Sequence, residues 1–545
     1  MSAPDPWEQI SERKKKEQQA RIPEEWKVAV PADLSRPLDL FKDKSILSGE
    51  ELQWTDPSND ALTTLAFVSS GSVTAEQLIT AFCKRAAIAH AATNCLTEIT
   101  FDAAIQRAKT LDEHFRNTGK VVGPLHGLPI SVKDHMNVEG VDSSMGFSSL
   151  CFDPAKQNGK LVQVLVDQGA VVIAKTNIPQ TAFTADSDNL VFGRTLNPYN
   201  SKFGASGSSG GEGALIAMGG SLLGLASDGS GSIRMPSAAN GVVGYKPSGY
   251  RLPSDGRPVF DYGMMGIVGM GPVGVFGFMG RSIRDIRAFA KLVCEQRIWD
   301  TDPFLYPSPW IGIDTPRPRI GVWTVNTPNS YIHLHPPVKR GFLVAQDRLR
   351  HAGYELVEFQ NPDISSIWEF QRDWLGIQGL STLRKFLGNE PLTNIAAKTN
   401  ILKYEQPTTL TVKYLHEMNM KLAGLVMAMT SAWSASGKPL DALLWVNSPH
   451  TAMPWDTWMD TTCTAVFNCI DWPAVALPLG IMSDMKIDVK EDFVPWNEMD
   501  AQIQSIYDAE SFDGLPLAVQ LIGRRFEDEK LLGIAEQVHP ILLGQ

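Results

Sequence analysis

Apolar residues recur along the chain at helical and then at strand spacing, in alternation. SVTAEQLITAFCKRAAIAHAAT (72–93) places them at helical intervals behind a Ser or Thr cap, which predicts an amphipathic helix. LPISVKD (128–134) is a short β-branched run after PLHG and predicts a strand. GKLVQVLVDQG (159–169) predicts a second amphipathic helix, and AVVIAKTNIP (170–179) the buried strand that follows it. RIGVWTV (319–325), DALLWVNSP (441–449), WPAVALPLG (472–480) and LPLAVQLIG (515–523) are continuous apolar runs bounded by Pro and Gly, the pattern of strands buried on both faces. Helical stretches lie between them, including 336–352 and 527–537. This alternation predicts an α/β fold with helices on both sides of a sheet. Residues 1–60 read as a polar, partly helical arm ending in the turn-rich TDPSND (55–60).

Length and charge narrow the function classes. A chain of 545 residues exceeds the roughly 250–300 residues of one simple core and predicts two to four domains or one large α/β unit. Its 49 Lys and Arg against 60 Asp and Glu give a net charge of −11, which provides no basic field for nucleic acid or an anionic membrane. The basic run RKKK (13–16) sits among acids and glutamines and reads as a solvated helical arm. The six cysteines form no CxxC pair and no metal-ligand spacing, which predicts a reduced, cytoplasmic setting. MSAPDPWEQISERKKK has no apolar core of a secretory signal. YGMMGIVGMGPVGVFGFMG (262–280) is 19 residues without a charge, yet its seven glycines and Pro272 make it a poor helix. A buried or cleft-lining loop is expected there, and no membrane span. Its GxGxxG match (Gly269, Gly271, Gly274) carries no weight, because Pro272 lies inside it and no strand-to-helix unit or acidic partner is evident.

The chemistry concentrates in GASGSSGGEGALIAMGGSLLGLASDGSGSIR (204–234). Between 204 and 244 there are 12 Gly and 8 Ser, a composition that a flexible linker would share. A linker does not carry ALIAMGGSLLGLA (214–226), an apolar segment that reads as a helix between two glycine-serine clusters. Two serine-nucleophile templates fit. Gly207, Ser209 and Gly211 satisfy G-x-S-x-G, which requires a preceding strand, a following helix and a downstream His; the preceding LNPYNSKFGA is not strand-like. Alternatively a lysine is the base, which demands burial sufficient to keep it neutral. Lys133 ends the apolar strand LPISVK, although an ion pair with Asp134 at the sheet edge is the simpler reading of that spacing.

The run GSSGGEGALIAMGGSLLGLASDGSGSIRMPSAANGVVGYKPS, the upstream PLHGLPISVKD and the C-terminal DGLPLAVQLIGRRFEDEKLL together resemble the amidase signature family, over roughly residues 60–540. The resemblance implies a large mixed central β-sheet flanked by helices on both sides. It further implies a catalytic domain over 61–545 with its core at about 120–290, behind an arm of residues 1–60. By the same resemblance the catalytic triad falls on Lys133, Ser208 and Ser232. Ser232 is then the nucleophile, and Ser208, after a cis bond from Gly207, relays the proton to Lys133. The turn of Gly229, Ser230, Gly231 and Ser232 is expected to form the oxyanion hole, with Ser230 where the family has glycine. Asp228 and Arg234 are expected to brace that turn, Ser209 to bond near Lys133, and Ala182 and Phe183, with the 262–280 loop, to line the acyl pocket. The implied reaction is hydrolysis of a small-molecule carboxylic amide through an acyl-serine, without metal or organic cofactor, in a cytoplasmic enzyme for which a homodimer is the oligomer to test. An ammonia-channelling amidotransferase subunit and an esterase using Ser209 with a downstream His are the competing functions.

Overall fold

A computed structural model describes residues 6–42, 45–256, 274–325, 327, 330–365, 367, 370–371, 373–374, 380–399, 411–457 and 460–545. The strands are β1 (Leu96–Ile99), β2 (Pro129–Lys133), β3 (Val171–Thr176), β4 (Asp188–Asn189), β5 (Gly193–Arg194), β6 (Leu223–Asp228) and β7 (Val243–Lys246), followed by β8 (Val275–Gly280), β9 (Ile320–Trp323), β10 (Leu356–Phe359), β11 (Ala442–Trp445), β12 (Ala474–Met482) and β13 (Pro516–Ile522). Apart from the β4–β5 pair they form one 11-stranded sheet in the order β1-β3-β2-β6-β8-β7-β12-β13-β11-β9-β10. The sheet is mixed: β2 runs parallel to both β3 and β6, whereas β8 is antiparallel to β6 and β7. Every residue of β1, β2, β7, β8 and β11 is buried. That pattern requires helices on both faces, which is why these strands show continuous apolar runs instead of alternation.

The predicted strands and helices named above fall where the periodicity places them, with bounds shifted by a few residues at most except for 527–537, where the helix Asp528–Leu542 runs on. Two segments differ. The supposed helix 214–226 is a helix only over Gly210–Ala217; Gly219 adopts φ +76 and ends it, and LGLASD continues as β6. An apolar run buried on all sides carries no period that separates helix from strand. The supposed loop 262–280 is strand β8 from Val275 onward, and its residues 262–273 lie outside the described residues. Its glycines allow close strand packing: a Cβ on Gly277 would run into the Tyr245 carbonyl of β7.

The basic run is a solvated helical arm at Arg13, Lys15 and Lys16, which are exposed, but not at Lys14. The helix Trp7–Ala20 lies along β1, the edge of the sheet, and Gln18 donates to the carbonyls of Leu96 (2.8 Å) and Thr97 (3.0 Å). Lys14 is buried between Glu98 and Asp142, 2.7 Å from each. Burial alone would lower its pKa, but the two carboxylates hold it well above the ordinary lysine value. Its contribution to stability is therefore complete below the unfolded value of about 10.4 and lost only as the pH rises through the higher folded value. Replacing Lys14 by Met leaves the buried Asp142 carboxylate without its cation and Glu98 with Arg21 alone. The expected cost is about 3–5 kcal/mol, read as a lowered denaturation midpoint together with faster proteolysis of the arm.

The site is positioned by the parallel trio β3-β2-β6. Lys133, the last residue of β2, pairs in register with Thr176 at the end of β3, and Val132 pairs with Leu225 of β6. The carboxyl ends of parallel strands open onto the crevice where α/β proteins bind ligands. Lys133 and the turn that follows β6 share that edge.

Candidate active site

Lys133 is fully buried, and its Nζ donates to Ser208 Oγ at 2.8 Å and to Ser227 Oγ at 3.0 Å. The expected pairing with Asp134 is replaced by another arrangement. Asp134 accepts from Thr97 Oγ1 (2.8 Å), Ser144 Oγ (3.0 Å) and the Met145 N–H (2.7 Å), so its carboxylate anchors the loop after β2. Successive residues of an extended chain point to opposite sides, and that geometry gives the two neighbours different tasks.

The Gly207–Ser208 peptide bond is cis, at the position implied by the resemblance. A Cβ on Gly207 would lie 2.7 Å from the Thr184 carbonyl oxygen and 2.9 Å from the Asp186 nitrogen, so the segment beneath admits only glycine. Ser187 holds the same segment from below, donating to the Ser206 carbonyl at 2.9 Å while accepting from the Gly210 N–H at 3.0 Å. Ser209 is fully buried at the head of the helix Gly210–Ala217 and donates to the Ser227 carbonyl at 3.5 Å. No strand leads into it, as the nucleophile-elbow template requires. Several downstream histidines are engaged elsewhere: His333 with Asp500, His335 with the Ile503 carbonyl and His539 with the Pro478 carbonyl. The Ser209 template therefore fails on geometry.

The turn after β6 is built around Asp228, whose carboxylate accepts from the N–H groups of Gly231 (2.8 Å) and Ile233 (3.2 Å). Arg234 faces it with Nη2 2.9 Å from Oδ1 and Nε 3.0 Å from Oδ2, both residues fully buried. Burial pushes the Asp228 carboxyl up, but the Arg234 charge and hydrogen bonds, with the Asn468 amide, hold it well below the usual carboxylate range. Arg234 also donates to Asn468 Oδ1 (2.7 Å) and Gln520 Oε1 (3.2 Å), tying the turn to β13 and to the helix Thr462–Cys469. Asn468, Gln520 and Thr464 escaped the sequence reading because they stand more than 200 residues downstream and belong to no local motif. Thr464 Oγ1 donates to the Ser230 carbonyl at 2.6 Å.

These contacts distinguish the four residues of the turn. Gly231 has φ +128, and a Cβ there would run into Thr464 Oγ1, so this glycine is obligatory. Ser230 does not lie in the left-handed region, and its side chain carries no backbone penalty. The Gly231 N–H is committed to Asp228, whereas the N–H groups of Gly229, Ser230 and Ser232 have no protein acceptor among the described residues. Ser232 is half-buried at the lip of the turn, and its hydroxyl makes no hydrogen bond to the described residues. The Gly229 carbonyl accepts from Gln371 Nε2 at 3.3 Å.

Ala182 and Phe183 are half-buried and pack with Met145, Phe147, Ile178 and Leu383 in a separate apolar cluster. Met145 and Phe147 lie on the loop that Asp134 anchors, so this apolar wall begins within the segment that leaves Lys133. Gln180 Nε2 donates to Glu390 at 2.6 Å and clamps the wall to the segment after the helix Leu380–Leu387.

Residues 77–532 match the family model described as Amidase. Amidase 1 of Gibberella moniliformis is 34% identical over 509 residues, covering 92% of this chain and 94% of its own. The acetamidase of Emericella nidulans is 34% identical over 559 residues, with 99% of each chain covered. Among solved structures, a fatty acid amide hydrolase superposes with a TM-score of 0.92 at 28% identity, over 98% of this chain and 95% of that one.

Proposed function

The chain belongs to the amidase family, and from that premise we propose that it hydrolyses carboxylic amides with Ser232 as nucleophile, Ser208 as proton relay and Lys133 as base. The observation that carries this reading is the buried 2.8 Å contact from Lys133 Nζ to Ser208 Oγ beside the turn that presents Ser232. As Ser232 Oγ bonds to the amide carbon, its proton passes to Ser208 Oγ, and the Ser208 proton passes to the free amine of Lys133. The carbonyl π electrons move to oxygen, where the N–H groups of Gly229, Ser230 and Ser232 are the available donors; each such donor is typically worth about 10²–10³-fold. On collapse the C–N bond breaks, and the proton returns through Ser208 to the departing nitrogen. Water then attacks the ester by the same route and releases the acid.

The apolar wall of Ala182, Phe183, Met145 and Phe147 supports an acyl pocket for amides of apolar carboxylic acids. The relatives named acetamidase and fatty acid amide hydrolase place short and long acyl chains at the two ends of the range to be tested. No helix among the described residues is long and apolar enough to cross a membrane, and all six cysteines are free thiols. These features support a cytoplasmic setting for the enzyme.

A panel of linear amides from acetamide to long-chain acyl amides tests the function. The expected result is stoichiometric release of acid and amine, with a pre-steady-state burst where deacylation is slow. Ser209→Ala is expected to keep turnover within about tenfold of wild type, since its hydroxyl makes one long bond worth about 0.5–1.5 kcal/mol at most. Abolition of turnover in a folded Ser209→Ala enzyme contradicts the reading.

A further inference from the structure

Glu212 is a buried ionisable group beside the two serines to which the reaction above gives no task. It is fully buried on the first turn of the helix Gly210–Ala217, four residues after Ser208. Its carboxyl accepts from Ser131 Oγ at 2.6 Å and from Thr176 Oγ1 at 2.9 Å. Ser131 stands two residues before Lys133 on β2, and Thr176 is the residue of β3 in register with Lys133. On β6, Gly224 pairs with Ser131, and a Cβ at Gly224 would run into Glu212 Oε2, so the third strand is kept bare to admit the carboxyl. One side chain thus hydrogen-bonds two strands at the level of Lys133, packs against the third, and ties them to the helix that begins two residues after Ser208.

We propose that Glu212 is a positioning residue for amide hydrolysis, setting the Ser208 hydroxyl at hydrogen-bonding distance from Lys133 by bridging Ser131 and Thr176 to the start of the helix. The proposal rests on the Ser232–Ser208–Lys133 reading. The chemistry of the group fits a neutral spacer. Burial pushes the Glu212 carboxyl up to about 8, against the pull of the two hydroxyl donors and, when it is protonated, of Lys133. Cys95, the other titratable group that interacts with it, is likewise pushed up by burial, to about 12, and remains a thiol. A carboxylic acid presents one donor and one acceptor face to the two hydroxyls, and a carboxamide does the same, because hydroxyl protons rotate to suit either.

The test compares Glu212→Gln, Glu212→Ala and the double variant Ser131→Ala, Thr176→Val on one amide substrate, with unfolding midpoints measured for each. Glu212→Gln is expected to keep kcat within about threefold and to leave the pH profile unchanged, because the carboxamide keeps the geometry. Glu212→Ala is expected to lower kcat about 10²-fold with KM within about twofold, since a displacement of about 1 Å at a reacting group costs that much. Fluorophosphonate labelling of Ser232 is expected to slow by the same factor. The double variant keeps the carboxyl and removes its donors, so it carries the test where Glu212→Ala does not fold; a loss of about tenfold or more is expected. Unchanged kcat in a folded Glu212→Ala or double variant overturns the proposal, as does a Glu212→Gln enzyme as impaired as Glu212→Ala. A Ser232→Ala enzyme that still turns over amides discards the underlying reaction instead, which keeps the two failures distinct.

Discussion

Replacing Ser232 by Ala is expected to lower amide turnover by at least about 10⁴-fold without a measurable change in the denaturation midpoint. The hydroxyl is half-buried and makes no hydrogen bond to the described residues, so its removal leaves no buried partner unsatisfied. Lys133→Ala is expected to cost about 10²–10⁴-fold in kcat, the range of a lost general base. The Ser232→Ala, Lys133→Ala double variant is expected to be no slower than Ser232→Ala alone, because residues that act as one unit are not additive. Steady-state kinetics of the three variants check both statements. Additive losses in the double variant would show that Lys133 and Ser232 act in separate steps.

The second large effect concerns stability. Asp228→Asn leaves the fully buried Arg234 guanidinium without its counterion, and the expected loss is about 3–5 kcal/mol. Arg234→Met strands the carboxylate and is expected to cost a similar amount. The pH dependence has a definite sign. The folded Asp228 carboxyl lies below its unfolded value of about 3.9, so its contribution is complete above that value and is lost as the pH falls through the folded value. The midpoint of the wild type is expected to fall below about pH 4, and Asp228→Asn to lack that part of the decline. Chemical denaturation at several pH values measures both. Turnover is expected to fall as well, because the carboxamide keeps one acceptor oxygen, so one of the Gly231 and Ile233 N–H groups that shape the turn loses its partner.

Much of this arrangement is legible in the sequence, for reasons that differ between elements. β2 and β3 could be read because a short β-branched run bounded by Pro or Gly permits little else. Lys133, Ser208 and the Asp228–Arg234 turn lie inside motifs that resemble the amidase signature, and that resemblance names them; spacing alone points Lys133 to Asp134, whereas its Nζ bonds to Ser208. What escaped is long-range or fully apolar. The helix and strand of 210–228 merge into one apolar run whose boundary is set by a single left-handed glycine. The burial of Lys14 depends on Glu98 and Asp142, 84 and 128 residues away, and no helical periodicity of RKKK could reveal them. The same holds for Asn468 and Gln520, which reach Arg234 from the helix Thr462–Cys469 and from β13. The departure at Ser230 was visible as a departure, but its tolerance became clear only once the left-handed geometry proved to sit one residue later, at Gly231.

The central claim is that Ser232, and neither of the two serines at 208 and 209, bonds to the acyl carbon. The most direct test is to inactivate the enzyme with a stoichiometric fluorophosphonate and locate the adduct by fragmenting the peptide spanning 203–234, which carries all three serines. Loss of fluoride with a single phosphonyl group on Ser232, absent from Ser232→Ala and formed at least about 10²-fold more slowly in Lys133→Ala, is the predicted result. An adduct on Ser208 or Ser209, or stoichiometric labelling that persists in Ser232→Ala, contradicts it.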